Sequence, residues 1–100
     1  MALSNLSRSI DGLVAVVTGA GSGMGAATAK LFADQGARVA AIDINAEAVQ
    51  GVVDEISAGG KVAHPWALDL ADGQATEALI EEVAEYFGGI DLLILSLIHI

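Results

Sequence analysis

Glycines are concentrated between Thr18 and Gly25, where the sequence TGAGSGMG separates an apolar run from a stretch with helical periodicity. Because glycine has no Cβ, a chain that turns through such a stretch can bring its backbone close to a bound group. A helix that begins there adds unpaired N–H groups and a partial positive charge. Together these features predict a site for phosphate groups.

Two glycine patterns of dinucleotide sites fit this stretch. Gly21, Gly23 and Ala26 match G-x-G-x-x-G/A, whereas Gly19, Gly23 and Gly25 match G-x-x-x-G-x-G. A P-loop is disfavoured because the stretch lacks the Gly-Lys-Ser/Thr ending. Glycine-rich loops also serve as plain turns, and it is the position between a strand and a helix that favours a diphosphate ligand here.

A carboxylate ends the next apolar run, RVAAID, at Asp43. At that position it can accept hydrogen bonds from both hydroxyl groups of an adenosine ribose, and it would repel a 2′-phosphate. No Arg or Lys in the glycine turn or just after Asp43 offsets this charge. These residues predict NAD as the cofactor and disfavour NADP. The alternative is a solvated acid, or a cap for a helix that begins near Ala46.

A second acid, Asp69, closes the third run in the sequence LDLAD. It could accept a hydrogen bond from the adenine amine while Leu70 packs on the ring, or it could be a turn aspartate. The residue types alone leave both interpretations open. Asp72 nearby is predicted to cap a helix instead. No metal site is predicted, because the chain has no cysteine and His64 has no partner at ligand spacing.

The elements that must position these residues alternate as strand, helix, strand, helix, strand, helix and strand. The continuous apolar runs at 13–18 and 38–43 are typical of strands buried on both faces. Pro65 interrupts the third strand, residues 61–69, which predicts a sheet edge because proline cannot donate to a ladder. Short connections between these elements predict an α/β fold with a doubly wound parallel sheet of order 3-2-1-4.

In each predicted helix a set of mostly apolar residues shares one face, which we expect to pack on the sheet. They are, in chain order, Met24, Ala27, Thr28 and Leu31; Val49, Val52, Val53 and Ile56; and Ile80, Val83, Ala84 and Phe87. Glycines end the three helices near Gly36, Gly59 and Gly88. Residues 1–11 are interpreted as a short leader and residues 12–94 as one domain.

The composition excludes several classes of partner. Thirteen acids against four bases give a net charge of −9, which argues against nucleic acid and against an anionic membrane surface. The absence of cysteine rules out disulfides within the chain and fits a cytoplasmic location. The leader has no apolar core of signal-peptide length. The apolar end of the chain is shorter than the roughly 20 residues of a membrane-spanning helix.

Taken in order, TGAGSGMG, Asp43, LDLAD and GGIDLLI resemble the short-chain dehydrogenase/reductase family over residues 13–94. Family members carry T-G-x-x-x-G-x-G, an acid for NAD, an Asp at the end of strand three, and I-D-x-L-V-N-N-A-G on strand four. The resemblance implies a Rossmann-type fold and hydride transfer between a nicotinamide cofactor and a small-molecule alcohol or carbonyl substrate. It also implies that the parent enzyme is a homo-oligomer.

The resemblance further assigns contacts to the cofactor. The phosphates would be lined by Gly19, Gly21, Ser22, Gly23, Met24 and Gly25, with Thr18 stabilising the turn. Asp43 and Ile44 would hold the adenosine, and Asp69 and Leu70 the adenine. No catalytic residue is assigned, because the family's Ser and Tyr-x-x-x-Lys have no counterpart in this sequence. We therefore expect the chain by itself to be inactive.

The chain departs from the family after Ile94, where N-N-A-G is replaced by LSLIHI. The bases CTG TCT CTT ATA CAC ATC encode these residues and match a common transposase-adapter end used in library preparation. We therefore predict that residues 95–100 are a non-native tail. Two other functions fit the same glycine turn and acid: a nucleotide-sensing Rossmann module without catalysis, and a methyltransferase that uses S-adenosylmethionine.

Overall fold

Strands and helices alternate along the chain from Val14 to Ile94. The computed structural model describes residues 11–69 and 71–94. Its elements are β1 (Val14–Thr18), α1 (Gly23–Asp34), β2 (Arg38–Asp43), α2 (Ala46–Ala58), β3 (Ala63–Ala67), α3 (Gly73–Phe87) and β4 (Leu92–Ile94). The leader before Asp11, the predicted contact at Leu70 and the predicted tail at 95–100 lie outside the described residues.

The four strands form one parallel sheet of order β3-β2-β1-β4. This confirms the doubly wound α/β fold and the predicted order. It also places Pro65 in the edge strand, opposite Ala41 of β2. β3 is shorter than the predicted 61–69. The register pairs Thr18 with Ile42 and Asp43 with Ala67, so the carboxyl ends of β1, β2 and β3 meet at one edge of the sheet.

Helices cover both faces of the sheet, so successive residues of β1 and β2 enter two different cores. One core lies under α1 and α2, and its strand residues are Ala15, Val17, Val39 and Ala41. The other lies under α3, and its strand residues are Val14, Val16, Ala40 and Ile42. This two-sided burial explains why the strand sequences are continuous apolar runs rather than alternating ones.

The predicted buried face of α1 is wrong. Met24 and Leu31 are 69% and 47% exposed, while the buried residues of the helix are Gly25, Ala29 and Ala33. Small residues face the sheet because α1 approaches the end of β1 so closely that large side chains do not fit between them. The predicted stripe of α2 is confirmed in full. In α3 the buried set is Leu79, Val83 and Phe87. The predicted stripe is therefore right at Val83 and Phe87, but Ile80 and Ala84 are only partly buried and Leu79 was missed.

Arg38 fastens the edge of the sheet opposite to Asp43. Its Nη1 donates to the carbonyl oxygen of Phe87 at 3.2 Å, and its Nε and Nη2 donate to that of Gly12 at 3.3 and 3.2 Å. The guanidinium thereby joins the end of α3 to the chain just before β1.

Within the described residues, none of the helices combines the length and the apolar character that a membrane crossing requires.

Candidate cofactor-binding site

The glycine turn lies at the carboxyl edge of the sheet, between β1 and α1. Thr18, the last residue of β1, is buried. The N–H of Ala20 donates to the carbonyl oxygen of Ile42 at 2.9 Å, which fixes the turn on the neighbouring strand. Gly19 and Gly23 have φ angles of 64° and 58°, a left-handed conformation that disfavours other residues. The hydrogen bond from Ala20 therefore holds the strand end of the turn, and the two glycines give it the backbone conformation it needs.

Gly25 allows α1 to approach the end of β1. A Cβ built at position 25 would overlap the carbonyl oxygen of Gly19 and lie 3.1 Å from that of Thr18. The contact is between backbone and backbone, so no neighbouring side chain can move aside to make room. The last glycine of the G-x-x-x-G-x-G pattern is thus explained by packing, and this packing holds the start of α1 directly above the strand end.

The positive N-terminal end of α1 has fewer capping groups than the N-terminal ends of α2 and α3. Asn45 and Asp72 cap α2 and α3 by accepting from Ala48 N–H at 3.0 Å and from Ala75 N–H at 3.1 Å. The latter confirms the predicted cap at Asp72. At α1 the N-cap is Ser22, whose side chain makes no capping hydrogen bond, and the first turn contains no acid. Its free N–H groups and positive end are therefore available to an anion.

Asp43 reaches the glycine turn from the end of β2. Its Oδ2 accepts from the N–H of Gly21 at 2.9 Å, and its Oδ1 accepts from the N–H of Asn45 at 2.9 Å. The cap of α2 is Asn45, so the alternative in which Asp43 caps this helix is wrong. A carboxylate offers about four lone-pair positions. About two of them remain for hydroxyl groups of a ligand.

Position 21 is closely surrounded by Asp43 and by Ala48 of α2. A Cβ there would lie 2.9 Å from the Cβ of Ala48 and 2.9 Å from both Cγ and Oδ2 of Asp43. A side chain at this position would have to displace the carboxylate that the turn contacts. Asn45 and Ala48 were not predicted from the sequence. The only available signal was an asparagine just ahead of a helix, which indicates a cap but not contact with the glycine turn.

The described cations lie away from this edge. Lys30, in the second half of α1, forms an ion pair with Glu55 of α2, with 3.0 Å between Nζ and Oε1. Lys61 precedes β3 and lines the same shallow cavity as Lys30. Arg38 lies at the amino edge. Among residues 11–69 and 71–94, no basic side chain therefore offsets the charge of Asp43.

Two apolar side chains beside the turn and the acid are left uncovered. Met24, in the first turn of α1, and Ile44, directly after Asp43, are each 69% exposed. Ser22 and Gly23 are exposed as well. The polar groups that could bind a phosphate or a ribose are thus bordered by apolar surface, an arrangement typical of small-molecule sites.

Asp69 forms a turn in the structure. Its Oδ1 accepts from the N–H of Ala71 at 3.0 Å, and its carbonyl oxygen accepts from the N–H of Asp72 at 3.1 Å. The side chain is exposed beyond the end of β3. This is the turn aspartate of the second interpretation. Since only one carboxylate oxygen is used in it, a contact between Asp69 and adenine stays a prediction.

His64 belongs to an aromatic cluster rather than to the site. Its ring centroid lies 4.5 Å from that of Trp66 and 4.4 Å from that of Tyr86. Trp66 in turn donates from Nε1 to Glu82 Oε1 at 3.0 Å. These contacts hold β3 against α3, so His64 is a packing residue.

Comparison with known proteins gives a consistent picture. Residues 13–96 match the short chain dehydrogenase family. The D-threitol dehydrogenase of Mycolicibacterium smegmatis is 46% identical over 88 residues, which cover 87% of this chain and 34% of that protein. The 2,3-dihydro-2,3-dihydroxybenzoate dehydrogenase of Bacillus subtilis is 36% identical over 87 residues, covering 87% of this chain and 33% of that protein. The chain thus spans about a third of the length of these relatives.

Solved structures share the fold. A hydroxysteroid dehydrogenase from Escherichia coli superposes with a TM-score of 0.84 and 40% identity, covering 86% of this chain and 37% of that one. A metagenomic short-chain oxidoreductase in complex with NADP superposes with a TM-score of 0.81 and 40% identity, covering 85% of this chain and 38% of that one.

Proposed function

Because the chain belongs to the short chain dehydrogenase family, we propose that it forms the cofactor-binding part of an NAD-preferring oxidoreductase. The parent enzyme transfers hydride between a nicotinamide cofactor and a small-molecule alcohol or carbonyl substrate, and it is a homo-oligomer. The similar proteins support the reaction class, since both curated relatives are named as dehydrogenases. The neighbour in complex with NADP supports a nicotinamide dinucleotide as the ligand of this fold.

The observation that carries the proposal is the hydrogen bond between Gly21 N–H and Asp43 Oδ2, at 2.9 Å. It joins the glycine turn after β1 to the acid after β2. A dinucleotide needs donors for its diphosphate and an acceptor for the neighbouring ribose within a few ångströms of each other. A turn without an acid, or an acid elsewhere on the sheet, would meet only half of this requirement.

The residues divide into two groups around this bond. Those that hold the diphosphate by backbone N–H groups or shape the turn are Thr18, Gly19, Gly21, Ser22, Gly23, Met24 and Gly25. Those on the adenosine side are Asp43 and Ile44 at the ribose and Asp69 and Leu70 at the adenine. The first group suits a diphosphate because Gly25 lets the start of α1 lie close to the end of β1, and no side chain caps that start. When bound, the nicotinamide supplies the hydride acceptor or donor.

The preference for NAD rests on charge. Asp43 carries a negative charge where NADP has a 2′-phosphate, and the described cations lie elsewhere. Two like charges in a partly buried site repel each other, whereas ribose hydroxyls can donate to the carboxylate. The carboxylate of Asp43 therefore weakens the binding of NADP and strengthens the binding of NAD.

The family match favours an oxidoreductase over an S-adenosylmethionine-dependent methyltransferase. A nucleotide-sensing module would use the same turn and acid without hydride transfer. The printed sequence contains no Tyr-x-x-x-Lys. We therefore expect this chain to bind the cofactor without turning over substrate.

Titration calorimetry of the chain with NAD, NADP and S-adenosylmethionine tests the proposal. We expect NAD to bind most tightly and S-adenosylmethionine not to bind. Asp43→Ala should weaken NAD binding by about 1–3 kcal/mol, because charge-assisted hydrogen bonds to the ribose are lost. Asp34→Ala is the matched control, since Asp34 is an exposed acid at the far end of α1. Tighter binding of NADP than of NAD by the unchanged chain would contradict the preference.

A further inference from the structure

β3 is the last strand on its side of the sheet in the part of the chain that the structure describes. Just before β3, the N–H of Val39 donates to the carbonyl oxygen of Val62 at 3.0 Å. Just after it, the N–H of Leu68 donates to the carbonyl oxygen of Asp43 at 2.9 Å. Because every second residue of a parallel strand forms the hydrogen bonds to its neighbour, the even-numbered residues of β3 bond to β2. The odd-numbered residues direct their backbone polar groups to the outer side of β3, away from β2.

Pro65 occupies the middle one of the three outward-directed positions of β3, between Ala63 and Ala67. Proline has no N–H, and its ring carbon Cδ lies where the hydrogen of another residue would point. No hydrogen bond within the sheet is lost, since the nitrogen at position 65 does not face β2. The sheet therefore tolerates this proline, and the missing N–H affects only a strand that approaches β3 from its outer side.

A second copy of this chain is the partner that the sequence around Pro65 fits. Two β3 strands that pair in antiparallel orientation about a two-fold axis at position 65 would place Ala63 of one copy opposite Ala67 of the other. These alanines carry outward-directed N–H and C=O groups, so hydrogen bonds could form on both sides of the axis. Lys61 and Asp69, both exposed, lie at equal sequence separation from Pro65, so opposite charges would meet at each end.

We infer that Pro65 prevents two copies of this chain from joining their sheets through β3. At the centre of such a pair the two prolines would lie opposite each other, and neither could donate to the carbonyl oxygen of the other. The ring carbon Cδ of each proline would also occupy the space that this oxygen needs, which forces the strands apart. Unpaired strand edges are ready templates for pairing with another chain, and a proline at the edge is one way to block this.

The net charge of −9 is a second barrier to self-association. Salt screens the repulsion between exposed charges that lie more than about 10 Å apart at roughly 0.1 M ionic strength. A missing donor and a steric contact do not depend on salt in this way. Measurements at physiological ionic strength therefore separate the effect of the proline from that of the charge.

Pro65→Val tests the inference, because valine supplies the missing N–H and suits a strand. Sedimentation equilibrium over a range of protein concentrations compares this variant with the unchanged chain. We expect Pro65→Val to dimerise at least about tenfold more tightly, since two hydrogen bonds are gained and the contacts of the two rings are removed. Adding Lys61→Glu to Pro65→Val should weaken the dimer about threefold or more, because like charges would then meet at both ends of the pair.

The matched control is the double variant Pro65→Val/Ala67→Pro, which moves the proline to the next outward-directed position. It keeps every hydrogen bond to β2, and it should associate no more than the unchanged chain does. Amide hydrogen exchange of single residues locates the contact. The amides of His64 and Trp66 should exchange slowly in all variants, which shows that the sheet is intact. The amides of Ala63 and Ala67 should exchange quickly in the unchanged chain and become protected in Pro65→Val as the concentration rises.

Three results would overturn the inference. One is equal association of Pro65→Val and the unchanged chain at physiological ionic strength. Another is tighter association of Pro65→Val without new protection at Ala63 and Ala67, which would place the contact elsewhere. The third is slow exchange at Ala63 in the unchanged chain that depends on concentration, because the outer side of β3 would then be paired despite Pro65.

Discussion

Asp91 and Val14 are joined by two hydrogen bonds at the amino edge of the sheet. The N–H of Asp91 donates to the carbonyl oxygen of Val14 at 3.0 Å, and the N–H of Val14 donates to Asp91 Oδ2 at 2.8 Å. β4 starts at the next residue, Leu92, which pairs with Ala15. The aspartate of the sequence GGIDLLI therefore fixes the position of β4 on β1, and this structural role accounts for it without any contact to a cofactor.

The first prediction concerns this pair. Asp91→Ala should lower the free energy of unfolding by about 1–3 kcal/mol, because the N–H of Val14 loses its acceptor. Asp91→Asn should lower it less, since the amide oxygen can still accept. Urea denaturation followed by circular dichroism measures both changes. Asp34→Ala is the control and should change stability by less than about 0.5 kcal/mol, because Asp34 is exposed. An equal loss in the alanine variant and the control would contradict the role of Asp91.

The second prediction separates two helical glycines. Gly25→Ala should destabilise the chain by about 1–3 kcal/mol, since the new Cβ would overlap the backbone of Gly19 and force α1 away from β1. Gly51→Ala, in α2, should instead stabilise it by about 0.5–1 kcal/mol. A Cβ there meets nothing within 4 Å, and alanine is the better helix former. Thermal unfolding of the two variants measures both signs. A stabilising Gly25→Ala would show that α1 does not need this close approach.

The sheet could be predicted from the sequence because its determinants are local. Continuous apolar runs indicate strands buried on both faces, short helical connections make them parallel, and Pro65 restricts one strand to an edge. The meeting of Asp43 with the glycine turn follows from the same rule, since the carboxyl ends of neighbouring parallel strands share one edge. The fold and the approximate place of the site therefore required no information about distances.

The wrong and missing predictions concern contacts that depend on distances between elements of the fold. The helical pattern favoured Met24 and Leu31 as buried residues because they are large and apolar. The backbone of Gly19 instead leaves room only for Gly25 and small neighbours in α1. The two hydrogen bonds to Asp43 and the contact between position 21 and Ala48 also depend on how the start of α2 lies against the turn. Residue types and spacing along the chain do not contain that information.

The third prediction concerns the end of the sequence. If residues 95–100 derive from an adapter, re-amplification of the locus from source DNA will yield a longer reading frame. We expect codons for N-N-A-G, or a close variant, directly after the codon for Ile94. A Tyr-x-x-x-Lys should follow further along. Reads that span the junction and come from a library made without a transposase provide the control. A genomic sequence encoding LSLIHI in such reads would refute the adapter origin.

The fourth prediction concerns Ile44, whose side chain is 69% exposed beside Asp43. If the adenosine of NAD covers it, Ile44→Ala should weaken NAD binding about fivefold, or about 1 kcal/mol, because less apolar area is buried in the complex. The free energy of unfolding should change little, since the side chain contributes little to the core. Calorimetric titration and urea denaturation of the same sample measure the two quantities.

Val62→Ala is the matched control for Ile44→Ala: Val62 is a 50% exposed aliphatic residue just before β3, at the opposite edge of the sheet. Its replacement should leave NAD affinity unchanged. An equal effect of both substitutions on affinity, or none from Ile44→Ala, would remove Ile44 from the adenosine site.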